Sequence, residues 1–353
     1  MAYSGTVGTT VIQVQTLIDH GARRAGKLAE ELTSEQVLSA RESLFFLLSN
    51  LINIGIQYWA IDKKIYGLNA DQYVYKLPVG GNDVLQALYR RMNRPSGSYE
   101  TTAGGIVENA FDSNIDTICT QSAPNGSISV NYGANNPVYI GSIGILPGVT
   151  GSIDYILEYS EDGLSWSTLY DPGVQAWVNN EWIWHDVEPG QTVQFYRIRA
   201  RNGSTLSLRE LYFGNNSTEI TMARLNRDDY TNLPNKNFTA NQPFQYWFNR
   251  TIPQAEITLW PVPSDPFVQM TVWYSRQIMD VGDLYGELEI PQRWYLAVVN
   301  MLAHQMALEL PGVATDRISY LEGQADKYLT LAEVEERDKS PIYFAPNISV
   351  YTR

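Results

Sequence analysis

Cysteine is almost missing: Cys119 stands alone in 353 residues, which excludes an intrachain disulfide framework and leaves no zinc pattern. Histidine is nearly as scarce. His20, His185 and His304 fall in three separate segments, with no HExxH and no Cys–His pairing. Neither GxSxG nor GxxxxGK[ST] occurs, and GTVGTT near the N-terminus has no strand feeding it and no lysine after it, so it makes no phosphate loop. Carboxylate pairs such as Asp228-Asp229 and Glu335-Glu336 are of the kind common on solvated surfaces. The sequence therefore reads as non-enzymatic.

Positive charge is also in deficit, with 25 Lys and Arg against 38 Asp and Glu and a net charge of −13. Nucleic-acid-gripping surfaces cluster basic residues, because phosphate neutralisation supplies their affinity. This chain goes the other way and reads as ignoring nucleic acid or letting it pass. No stretch approaches the roughly 20 apolar residues that cross a bilayer, so no membrane partner is expected. MAYSGTVGTTVIQ lacks the basic start and apolar run of a signal peptide. The expectation is synthesis and folding in a reducing cytoplasm.

What is present divides into three styles. Residues 9 to 27 carry Val11, Val14, Leu17 and Ile18 on one helical face, with Thr9 or Thr10 as N-cap. A stronger helix follows in TSEQVLSARESLFFLLSNLINIGIQYW, where Thr33 and Gln36 match a capping box. Its apolar stripe is wide, which predicts burial on more than one side. QYVYKLP alternates like a strand, whereas DVLQALYRRMN fits a short helix or a strand equally. From about Thr102 to Asn215 helical periodicity vanishes. SISVNYG, VYIGSIGIL, IDYILEYS, EWIWHDV, VQFYRIRA and LSLRELYFG alternate with turn residues, the pattern of an all-β sandwich. Asp162-Gly163 and Asn179-Asn180 suit hairpin turns. Further on, AEITLWPVPSDPFVQMTVWYSRQI reads as two antiparallel strands, and PQRWYLAVVNMLAHQMALEL and TDRISYLEGQADKYLTLAEVEERD as two helices.

AFDSNIDTICT, EYSEDGLSWSTL, FYRIRA and RELYFG, in that order, resemble the discoidin (coagulation factor 5/8 type C) family, also called family 32 carbohydrate-binding modules. The resemblance implies a galactose-binding-like jelly-roll sandwich over residues 99–216. It also implies a structural calcium, for which the matching positions are Asp112, Asn114, Asp116, Thr117 and Glu210; the plain alternative is that these residues cap turns. A sugar site needs an aromatic platform with polar neighbours, and Trp177, Trp182, Trp184 and His185 supply that chemistry. The alternation of WIWHDV places at least one of these tryptophans in the core. Trp166 matches the family's core tryptophan.

The flanks carry QYVYKLP, NRDDYTNLPNKNFTANQPFQYWFNR, ITLWPVP and IPQRWYLAVVNMLAHQMALELPG. Together these are similar to the head-to-tail adaptor (connector) proteins of short-tailed bacteriophages. The fold class expected is thus α+β and multidomain: an adaptor domain in two parts (1–98 and 217–339), interrupted by the all-β sandwich (99–216) and followed by an extended tail (340–353). The resemblance implies a virion protein at the head–tail junction, assembled in the host cytoplasm. It implies a homo-oligomeric ring, commonly a dodecamer, docked on the portal protein and contacted by tail nozzle or tail fibre proteins. Phage DNA would pass through its channel without sequence-specific binding. In the tail, Ile342, Tyr343, Phe344, Ile348, Val350 and Tyr351 are apolar anchors suited to ordering on the portal. The rival expectation is a phage tail or surface protein in which the sandwich recognises host glycans.

Overall fold

A computed structural model describes residues 11–54, 58–91, 94–134, 136–215, 218–264 and 268–336. Two helices come first, α1 (Val14–Ala25) and α2 (Ser34–Ile54), then strands β1 (Ile61–Gly67), β2 (Val74–Lys76) and β3 (Gly81–Arg91). Nine strands follow: β4 (Ser98–Thr101), β5 (Cys119–Thr120), β6 (Ser127–Asn131), β7 (Val138–Pro147), β8 (Gly151–Ser160), β9 (Ser167–Trp177), β10 (Ile183–Val193), β11 (Phe195–Ala200) and β12 (Ser207–Gly214). The chain continues through β13 (Thr218–Thr221), β14 (Ala223–Leu225), α3 (Arg227–Thr231), β15 (Thr239–Ala240), β16 (Gln245–Asn249), β17 (Glu256–Trp260), β18 (Val262–Pro263) and β19 (Val268–Arg276). Helices α4 (Tyr295–Glu309) and α5 (Thr315–Glu336) close the described chain. The class is mixed α+β.

Residues up to Ile61 together with those from Ser275 onward form one compact unit, and Asp62–Tyr274 forms the other. In the helical unit, α1 begins at Val14 with Gln13 as N-cap and stops at Gly26, whose φ of 93° is the left-handed value a C-terminal cap requires. The capping box on α2 forms as the sequence predicts. The Thr33 amide donates to Gln36 Oε1 at 3.0 Å, and the Gln36 amide donates to Thr33 Oγ1 at 3.3 Å. One core joins both ends of the chain: Leu17, Ile18, Leu44 and Leu48 pack with Trp294, Val298, Leu302 and Leu321. Trp59 meets Trp294 edge-on at 5.1 Å. The wide stripe of α2 is not buried on several sides, however. Its Ala40, Leu44, Leu48 and Leu51 are buried, while Leu38, Phe45 and Phe46 stay exposed.

The second unit stacks sheets. β4-β6-β11-β8-β9 and β10-β7-β12-β5 face each other as a sandwich. Its core takes alternate residues from each, Ile143, Ile145, Leu211 and Phe213 against Ile128, Val130, Leu157 and Ile198. The expected hairpin at Asp162-Gly163 forms between β8 and β9, with Gly163 at a φ of 74° and Asp162 Oδ1 accepting the amides of Leu164 and Ser165 at 2.8 Å. Asn180 takes a φ of 64°, but its turn is no hairpin, because it carries the chain from β9 of one sheet into β10 of the other. Beside the sandwich lies a strand lobe of two further sheets, β1-β19-β3-β13 and β14-β16-β17-β2. Leu77, Tyr89, Ile257, Met270 and Val272 are in its core. The segment open to helix or strand is strand β3. β17 and β19 are strands but not partners: β17 pairs with β16 and β2, because Pro261 and Pro263 break the chain and β18 turns aside to pair with β15.

β13 pairs antiparallel with β3, Thr218 opposite Arg91 and Thr221 opposite Leu88. The chain therefore leaves for the sandwich and returns from it at neighbouring points of one sheet. The compact units divide at 61/62 and 274/275 instead of the expected 98/99 and 216/217, since the strand lobe packs on a sandwich face and clusters with it.

Candidate functional site

Strand β10 decides what the aromatic residues can do. Alternation sends Trp182, Trp184 and Asp186 to one side, and Ile183, His185 and Val187 to the other. Trp182 and Trp184 stack at 4.9 Å between ring centroids, and Trp184 meets Tyr212 edge-on at 5.5 Å. This side is covered by the strand lobe. A Cβ built on Gly67 of β1 would lie 2.3–2.5 Å from Trp182 atoms, and one on Gly144 of β7 2.2–2.6 Å from Trp184. Glycine is required at both places by close approach. Trp177 is 1 % exposed and packs edge-on against Tyr155 in the sandwich core. The four predicted glycan residues thus form no shared solvent-facing platform; three are fastened into packing and the fourth, His185, into a hydrogen bond.

That bond joins His185 Nε2 to Tyr155 Oη at 2.7 Å. Burial lowers the imidazole pKa to about 4, against a weaker opposing pull from Asp186. Asp186 lies in an ion cluster. Lys63 Nζ is 2.5 Å from it, Arg90 Nη1 2.7 Å, and Arg90 reaches Glu219 at 2.5 Å. Burial favours the neutral acid, but the bonds from Arg90 and Lys63 outweigh it and lower the Asp186 pKa. Lys63, Lys64, Gln175, Glu181, Trp182, Trp184 and His185 do come together around a cleft of about 460 Å³. Its mouth is polar and its wall aromatic.

The acidic loop has a different fate. Asp112 Oδ1 accepts the Asn114 amide at 2.9 Å, and Asp112 Oδ2 accepts the Thr117 hydroxyl at 2.8 Å. Asn114 Oδ1 accepts the Asp116 amide at 3.1 Å. These are turn caps. Glu210, with no exposed surface, accepts the Asn114 amide at 2.9 Å and Arg94 Nη1 at 3.0 Å. Burial pushes its carboxyl up to about 7, with Arg94 pulling the other way. Among the described residues no three His, Cys, Asp or Glu side chains gather to hold a metal ion. Of the predicted calcium positions, Glu210 already faces a cation, the Arg94 guanidinium.

Trp166 is not a core residue. It is half-buried, and Arg197 stacks on its ring with the guanidinium carbon 3.9 Å from the centroid. Arg197 and Arg199 both bind Glu158, at 2.6 and 2.7 Å, and Arg201 binds Asp154 and Asp171 at 2.9 and 2.6 Å. This ion-paired sheet face goes unpredicted from the sequence, although the period-two spacing Arg197-Arg199-Arg201 in FYRIRAR is a strand signal for it. The six apolar anchors, Ile342, Tyr343, Phe344, Ile348, Val350 and Tyr351, lie outside the described residues.

No family model matches this chain, and no curated protein does. Solved structures similar to part of it include carbohydrate-binding modules. The family 32 module of Clostridium perfringens NanJ, solved with galactose, is 20 % identical over 36 % of this chain and 99 % of its own, with a TM-score of 0.30. A family 62 module of Clostridium thermocellum Xyl5A is 20 % identical over 35 % and 97 %, at 0.31. A family 32 module from a family 31 glycoside hydrolase of Clostridium perfringens is 15 % identical over 35 % and 97 %, at 0.30.

About one third of the chain is a β-sandwich, and it is this part that is similar to those modules. At these identities and scores the likeness carries no argument about ligand or partner.

Proposed function

We propose that this chain is a structural subunit of a bacteriophage head-to-tail adaptor ring, with the discoidin-like sandwich as an accessory module. The observation that supports this reading most is the way the two flanks share cores across the sandwich. Residues from 14–51 and 278–332 make one apolar core. Strands before and after the sandwich make another, with β3 and β13 adjacent. A body assembled from both flanks can carry a bulging module without being broken by it. The net charge of −13 also suits a channel wall that repels the DNA backbone, so that duplex slides instead of sticking. On this reading the ring docks under the portal, continues its channel and offers a platform for tail proteins.

Electron-microscope images of the purified full chain, alone and mixed with the cognate portal, test it. Annular particles that stack on the portal ring are expected. A chain that stays monomeric with the portal present, or particles without a central hole, would overturn the proposal.

The cleft beside β10 favours a second reading, in which the sandwich module also takes a surface glycan. Gln175, Glu181 and the exposed Lys64 offer polar groups, with Trp184 in the wall, around a space of about 460 Å³, near the lower size range of small-ligand sites. Binding on a glycan array that is lost in Lys64→Ala supports it. Silence across the array removes it and leaves the adaptor reading intact.

A further inference from the structure

The buried Glu210 and the loop around Asn114 pose a problem of charge. A carboxylate with no exposed surface is costly unless a cation and hydrogen bonds satisfy it. Two oxygens converge here, Glu210 Oε2 and the main-chain carbonyl of Phe111. Both are hard donors of the type that binds calcium. Both are already engaged by one side chain. Arg94 Nη1 donates to Glu210 Oε2 at 3.0 Å, and Arg94 Nη2 donates to the Phe111 carbonyl. The guanidinium carbon is also 5.6 Å from the Phe111 ring centroid and 5.9 Å from that of Tyr212. The other carboxylate oxygen is held by the Asn114 amide.

We propose that the Arg94 guanidinium is the resident cation of this site, so that the sandwich is closed by a charge the chain itself supplies and takes no metal there. The chemistry favours it. A guanidinium stays charged at any working pH and presents two parallel donors, which match one carboxylate oxygen and one carbonyl. It competes with no free ion and responds to no ion concentration. Arg94 also lies outside the sandwich strands, between β3 and β4. The acid it neutralises sits on β12, the last strand of the module. The guanidinium therefore ties the entering segment to the closing strand, and it links integrity of the module to the strand lobe that carries it. A bound metal would make the module self-sufficient.

The test has two arms. In the first, the melting temperature of the full chain is measured in EDTA and again in millimolar calcium chloride, with terbium luminescence as a direct probe of binding. No shift and no stoichiometric terbium signal are expected. A calcium-dependent rise in melting temperature, or one terbium bound per chain and displaced by calcium, overturns the proposal. In the second, Arg94→Met is compared with Arg94→Met/Glu210→Gln. At pH 8.5 the single variant is expected to melt roughly 5–10 °C lower, because Glu210 loses its cation and must stay charged without one or take up a proton. The double variant, with that charge removed, recovers most of the loss. A single variant as stable as the natural chain, or a double variant that recovers nothing, overturns the assignment. Should Arg94→Met not fold, the calcium arm decides alone.

Discussion

At position 185 a histidine shares its ring nitrogen with Tyr155 across 2.7 Å and resists protonation until about pH 4. An unfolded chain binds that proton near pH 6.5, the group's ordinary value. Between those values the unfolded state holds more protons than the folded one, so stability falls as pH falls. The loss begins below 6.5 and levels off below about 4. Its ceiling is about 3 kcal/mol, since each tenfold change in proton affinity is worth roughly 1.4 kcal/mol. Glu210 acts oppositely. Its carboxyl is raised from 4.5 to about 7, so the folded state holds the extra proton there, and stability falls as pH rises through that window. The two slopes oppose each other in the natural chain, and a difference measurement separates them. His185→Gln keeps a polar side chain that does not titrate. Urea midpoints from pH 7 to pH 4.5 are expected to converge for this variant and the natural chain at neutral pH if packing is preserved, with the variant gaining relative stability as the solution is acidified. A parallel pair of curves would show that His185 takes up its proton equally in the folded and unfolded states.

Between elements, one of the tight approaches is that of β1 to the turn before β10, where Gly67 meets Trp182. A methyl group there has no room, and the facing partner is a rigid indole already stacked on Trp184. Gly67→Ala is therefore expected to destabilise Asp62–Tyr274 by about 1–3 kcal/mol and to alter tryptophan fluorescence. Equal stability and an unchanged emission spectrum would mean the sheets are not stacked this closely. The same contact explains what the sequence could and could not convey. The capping box at Thr33 and Gln36, the turns at Gly163 and Asn180 and the α4 and α5 helices are local, and each is legible from neighbouring residues. Alternation along WIWHDV also shows that its residues split between two faces. It cannot show that the outward face meets a glycine far earlier in the chain, so a platform of tryptophans is the natural expectation. The pairing of β17 fails for the same reason, since its partners β16 and β2 are chosen by sheet order and not by the nearest strand. Arg94 goes unread as the partner of Glu210 because 116 positions separate them.

At the scale of the whole molecule, the proposed ring would draw its contacts from the helical unit. α2 and α5 both pack on α4, and each leaves an apolar stripe in water. On α2 these are Leu38, Phe45 and Phe46; on α5 they are Tyr320, Leu331 and Val334. Residues 320, 331 and 334 recur at helical spacing, so they share one face. Two different patches on one subunit suit a head-to-tail contact, which closes into a ring when the rotation per subunit allows it. Magnitudes fix what such a contact can do. Fully burying a large apolar side chain is worth about 1.5–3 kcal/mol, and these six are already partly covered. A single interface of this kind falls short of or only reaches the roughly 8 kcal/mol of a micromolar complex, once the cost of association is met. Closure of the proposed ring would give every subunit two such contacts and turn weak pairs into a stable whole. Phe46→Asp and Leu331→Asp, at the most exposed α2 phenylalanine and on the α5 stripe, are therefore expected to leave helix content and melting temperature of the dissociated chain nearly unchanged. Light scattering behind size exclusion is expected to show the natural chain as a ring and each variant as monomer. Variants that still assemble to the same mass would move the subunit contact away from α2 and α5 and end this account of the ring.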